Sequence, residues 1–108
     1  MNAFPANYAF FGTIYFPAST EIVTGQNVNL VRTESGTFRE TRNQVWIEKN
    51  EQGENISSYK EITRDDWSIY LQDSSRNVNI QLDLHARKVM HSVGNDPQVT
   101  LHSIKQTS

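Results

Sequence analysis

The run Val78-Asn79-Ile80-Gln81-Leu82-Asp83-Leu84-His85 alternates apolar and polar residues without a break. Successive side chains of a strand point to opposite faces, so this pattern predicts a β-strand with one face buried and the other in water. Trp67-Ser68-Ile69-Tyr70-Leu71-Gln72 alternates in the same way. Asp73-Ser74-Ser75-Arg76-Asn77 lies between the two runs and is a turn by composition. The stretch from Trp67 to His85 is therefore expected to be a β-hairpin.

Further strands are expected over Phe10–Phe16, Asn27–Arg32, Thr37–Thr41, Val45–Lys49, Ile56–Ile62, Val89–Val93 and Val99–Ile104. Turn residues separate most of them: Ser35-Gly36, Arg42-Asn43, the stretch around Gly53, Arg64-Asp65, and Gly94-Asn95-Asp96-Pro97. No window of helical length carries a helical apolar stripe, although a short helical turn is expected near Ala18 to Val23. Eight or nine short strands at roughly ten-residue spacing predict an all-β domain, an antiparallel meander closing into a small barrel or packing as a sandwich. With 108 residues the chain is expected to form a single domain over residues 1–108. The block Phe38-Arg39-Glu40 with Trp46 recurs 21 positions later as Tyr59-Lys60-Glu61 with Trp67, as hairpins of similar length would give.

The chain has no cysteine, which excludes disulfide scaffolds, zinc-thiolate sites and thiol nucleophiles. A hydrophobic core must hold the fold. The net charge is −2, and the lysines and arginines are scattered among acidic neighbours, which argues against nucleic-acid binding. No apolar run reaches the length of a membrane span, and the N-terminal residues do not form a leader pattern. The default expectation is a cytoplasmic location with no membrane association. Phe10, Phe11, Ile14, Tyr15 and Phe16 put large apolar groups on both faces of their strand, and a homo-oligomeric contact through this strand is expected.

Asn, Gln, Ser and Thr make up roughly a third of the residues. Such a surface suits a ligand rich in neutral polar groups. If the strands at Trp67–Gln72 and Val78–His85 pair, Ser68, Tyr70 and Gln72 join Asn79, Gln81, Asp83 and His85 in one polar plate with an aromatic ring. Carbohydrate recognition needs this combination: amides and carboxylates to bond hydroxyls, and a ring to stack on a pyranose. With an even-numbered loop in its hairpin, Trp46 shares a face with Arg39, Thr41 and Glu48 and is partly exposed beside a cation. An odd-numbered loop changes the residues that face it. Trp67, in line with Ile69 and Leu71, is expected in the core. The expected ligand contacts are Trp46, Tyr70, Gln72, Asn79, Gln81 and Asp83.

Signals for catalysis are weak. Glu40, Glu61 and Asp83 are the candidates for paired-carboxylate chemistry, but nothing in the sequence fixes their separation. Asp65 and Asp66 read as turn-capping residues beside Arg64. No nucleophile elbow and no glycine-rich phosphate loop occurs. His85, His91 and His102 have no metal-ligand spacing, and His91 would join Asp83 and His85 only across a three-residue turn. Neither a metal nor a cofactor is expected. The residues favour a non-catalytic, lectin-like module for a glycan or another neutral polar ligand. A protein-assembly domain and a small barrel enzyme with an internal cavity lined by Glu40 or Glu61 are the alternatives.

Overall fold

The computed structural model describes residues 22–108, and the strand and oligomer contact expected at Phe10–Phe16 lie outside them. Most of the helical turn expected near Ala18 to Val23 also lies outside, and Ile22 and Val23 are in no helix. The described chain forms eight strands: β1 (Leu30–Thr33), β2 (Gly36–Glu40), β3 (Val45–Asn50), β4 (Asn55–Arg64), β5 (Ser68–Asp73), β6 (Val78–Asp83), β7 (Lys88–Val93) and β8 (Val99–Thr107). Each pairs antiparallel with its neighbour in sequence, and β8 returns to β1 to close a barrel. The meander is thus a barrel and not a sandwich. Closure leaves no strand edge free among the described residues. Among the described residues no helix is long and apolar enough to cross a membrane.

The expected hairpin forms with Ser68 opposite Asp83, Tyr70 opposite Gln81 and Gln72 opposite Asn79. Its inner face carries Ile69, Leu71, Val78, Ile80 and Leu82, all buried. Four-residue connections join β5 to β6 and β6 to β7. In each, an aspartate at the strand end accepts a backbone N–H: Asp73 Oδ1 from Ser75 at 3.1 Å, Asp83 Oδ1 from Ala86 at 2.9 Å. This bond turns the chain at Asp83, so His85 lies in the connection and not on the strand. His91 pairs with Ile80 on the inner face, opposite to that of Asp83. The triad of Asp83, His85 and His91 does not form, because the turn has four residues instead of three.

The two tryptophans exchange the places that alternation alone assigns them. Trp46 still alternates with Val45 and Ile47, but it is fully enclosed, while Trp67 is 54% exposed. The β2–β3 hairpin has odd parity: the Thr41 N–H donates to the Val45 carbonyl, and the bonded pair encloses three residues, Arg42–Gln44, of which Asn43 and Gln44 have positive φ. Trp46 therefore stands opposite Glu40, on the inner face with Phe38, and not beside Arg39. Trp67 precedes β5, where the wall ends. Asp65 Oδ1 accepts the N–H groups of both Trp67 and Ser68, at 2.9 and 2.8 Å, and holds Trp67 at the rim. Asp65 is the turn cap that the sequence suggests.

The rim beside Trp67 is sealed by residues 24–28. Val28 is fully buried in the core cluster, and Gly25 donates its N–H to the Asp66 carbonyl at 2.8 Å. A Cβ at Gly25 would run into the carbonyl oxygen of Asp65 and approach the backbone nitrogen of Ser68 to 2.8 Å. Backbone on both sides cannot yield as a flexible side chain would. Gly25→Ala is expected to cost about 1–3 kcal/mol of stability, the usual range for overpacking, measured as a lowered midpoint in urea unfolding.

Candidate functional site

Three polar regions compete for a functional role: a charged cluster inside the barrel, the plate on the hairpin's outer face, and a cleft at the rim. Inside, Glu61 and Arg64 lie three residues apart, a spacing that would put them on opposite faces of a regular strand. The β4–β5 register shifts between Glu61 and Thr63, and this bulge turns both side chains inward. Arg64 Nη2 donates to Glu61 Oε1 at 2.7 Å and Glu40 Oε1 at 3.4 Å, and its Nε donates to Glu61 Oε2 at 3.2 Å. Its Nη1 donates to the carbonyls of Gly25 and Val28, each at 3.2 Å. All five guanidinium protons have acceptors.

Trp46 Nε1 adds a bond to Glu61 Oε1 at 3.1 Å, and the guanidinium carbon lies 6.0 Å from the centre of the Trp46 ring. Burial pushes the Glu61 carboxyl up, but the Arg64 and Trp46 hydrogen bonds and the Arg64 charge outweigh it and hold the group below its usual range. Glu61 is thus a fixed anion, unsuited to donating a proton. Glu40 and Glu61 do come together, as counter-ions of Arg64. Arg64 and Trp46 lie against these two carboxylates, where the barrel-enzyme alternative would place its substrate.

The outer plate forms as the pairing predicts, but its amides are engaged in hydrogen bonds within the protein. Gln72 Nε2 donates to Asn79 Oδ1 at 3.3 Å, and Asn79 Nδ2 donates to the Gly94 carbonyl at 3.4 Å. Gln81 Nε2 donates to Ser68 Oγ at 3.0 Å, and its Oε1 accepts from Gln98 at 3.2 Å. Tyr70 donates its hydroxyl to Asp65 Oδ2 at 3.2 Å. Trp46 contributes nothing to this face. Its ring lies inside the wall and cannot stack on a ligand there, which corrects its expected role.

The plate continues at its Ser68–Asp83 edge into an open cleft of about 590 Å³ lined by Gln26, Arg64, Asp65, Asp66, Trp67, Ser68, Asp83 and His85. The volume lies within the roughly 300–1,000 Å³ typical of small-ligand sites. Trp67 and His85 meet edge to face, with ring centres 5.4 Å apart. The Trp67 backbone N–H, with the Ser68 N–H and the Tyr70 hydroxyl, holds the Asp65 carboxyl below its usual range against the opposing effect of burial. Of the expected contact residues, Asp83 is the one that lines this cleft. Sequence reasoning missed Trp67, His85, Asp66 and Gln26 as site residues. The available signal was the position of Trp67 directly after Arg64-Asp65-Asp66, where a turn ends and no wall continues.

No group of three or more His, Asp or Glu side chains able to hold a metal ion occurs among the described residues. The chain matches no family model, no curated protein and no solved structure among those compared with it.

Proposed function

We propose that this barrel is a non-catalytic binding module for a glycan, with the rim cleft as its principal site and the Tyr70 side of the plate as its continuation. The observation that carries the proposal is Trp67, more than half exposed in a cleft whose other side chains are polar: the Ser68 hydroxyl, the Gln26 amide, three aspartates, Arg64 and His85. Leaving more than half of an indole in water forgoes part of the burial free energy, which is about 1.5–3 kcal/mol for a large apolar side chain fully enclosed, while Trp46 shows that the same chain can enclose an indole fully. An indole face beside polar groups suits a pyranose, whose C–H face stacks while its hydroxyls bond outward. The engaged state of Glu61 supports binding over catalysis.

A glycan array probed with the full chain tests the reading. The parent is expected to bind a defined set of glycans, and Trp67→Ala to lose at least about tenfold in affinity, equivalent to roughly 1.4 kcal/mol. Full retention of binding in Trp67→Ala would move the site elsewhere. An array with no signal would overturn the function.

A further inference from the structure

We infer that the glycan carries a free amine, as in a β-linked glucosamine oligomer, with a sugar face on Trp67 and the ammonium met by Asp66 and Asp83. This rests on the glycan reading above and adds the sign of the ligand's charge. Three aspartates line the cleft, and Arg64 is its one lining cation. The Arg64 charge is already balanced by Glu61 and Glu40. Lys88 stands opposite Asp83 on the outer face, yet among the described residues the two form no ion pair within 4.0 Å. The cleft is therefore net negative at neutral pH.

The carboxylates differ in what they can still accept. Both oxygens of Asp65 are engaged, by Trp67, Ser68 and Tyr70. Asp83 uses Oδ1 for the Ala86 N–H, and its Oδ2 accepts no bond among the described residues. Asp66 accepts one long side-chain contact, from Gln26 Nε2 at 3.4 Å. An ammonium brings three donors and no acceptor, which complements these two groups, and a cation near an indole face gains further attraction.

A second, independent feature points to a ligand with oxygens as well. Ser68 is 4% exposed and lines the cleft. Its Oγ accepts from Gln81, but its own proton finds no acceptor among the described residues. A buried hydroxyl without an acceptor carries a cost that a ligand oxygen removes. The Trp67 indole N–H likewise has no partner among the described residues. An amino sugar supplies cation, acceptor oxygens and stacking face together. A lysine side chain supplies only the cation.

The test is a tryptophan-fluorescence titration of the full chain near neutral pH with tetramers of glucosamine, N-acetylglucosamine and glucose, and with oligolysine. Trp67 is the exposed reporter, and Trp67→Ala identifies its signal. The glucosamine tetramer is expected to bind roughly tenfold more tightly than its acetylated form at low salt. That preference should shrink as salt is added, because the attracting carboxylates lie in an open cleft. It should vanish in the Asp66→Asn, Asp83→Asn double variant. Asparagine keeps the Oδ1 acceptor needed for the Ala86 cap, so the turn survives the change. Equal affinity of the parent for all three tetramers would overturn the charge inference and leave the glycan reading intact. No binding of any saccharide would overturn both, and oligolysine binding more tightly than the sugars would replace the amino sugar with a protein partner.

Discussion

Arg64→Ala is expected to lower folding stability by about 3–5 kcal/mol, the range for breaking a buried ion pair by removing one partner. The variant leaves Glu61, 8% exposed, without its counter-ion, and takes a donor from the carbonyls of Gly25 and Val28. The rim segment and the barrel wall should loosen together. Urea unfolding followed by circular dichroism would read the loss as a lowered midpoint. Arg64→Lys should recover only a small part, since one ammonium cannot reach acceptors on three sides. A loss below about 1 kcal/mol in Arg64→Ala would mean that the cluster is not the keystone of this rim.

The same cluster sets a pH dependence. Glu61 binds protons less readily in the folded chain than in the unfolded one, so its contribution is complete above the ordinary glutamate value of about 4.3 and is lost as pH falls through the lower folded value. The unfolding midpoint of the parent should therefore decline on acidification below about pH 4, and Arg64→Ala should flatten the part of that slope due to Glu61. Arg64 stays charged throughout this range.

Trp46→Ala and Trp67→Ala are expected to differ sharply in stability. Removing the enclosed ring costs about 3–5 kcal/mol, since it opens a cavity among Phe38, Tyr59 and their neighbours and deprives Glu61 of a donor. Removing the exposed ring should change stability by no more than about 0.5 kcal/mol. Denaturant midpoints of the two variants would check this, and the contrast assigns the loss of glycan binding in Trp67→Ala to the site and not to unfolding. Comparable losses of stability in the two would contradict the exchange of places found between them.

Much of the wall was legible because alternation is a local property. Val78 to Leu82 cannot bury its aliphatics as a strand without exposing Asn79 and Gln81, and the barrel keeps that division. The aspartates before each turn were equally legible, because Asx capping involves residues two or three apart. The 21-residue offset also has a physical meaning now. Phe38 and Tyr59 lie with ring centres 6.1 Å apart, and Glu40 and Glu61 both bind Arg64. The match ends at the tryptophans, where one hairpin turns through residues that keep Trp46 on the wall and the other turns before Trp67 reaches it.

The sequence by itself determined the strands, their antiparallel order and the pairing that builds the outer plate. Each of these depends on neighbours along the chain or on a hairpin that links them. Tertiary structure decided the closure of the barrel, the odd register that encloses Trp46, the bulge that turns Glu61 and Arg64 to the same side, and the cleft at the rim. These depend on loop parity and on one inserted residue, and a shift of one residue sends every following side chain to the opposite face. Composition is blind to such a shift, and so the cleft beside Trp67 became visible only when β8 met β1 and residues 24–28 closed over the end of the barrel.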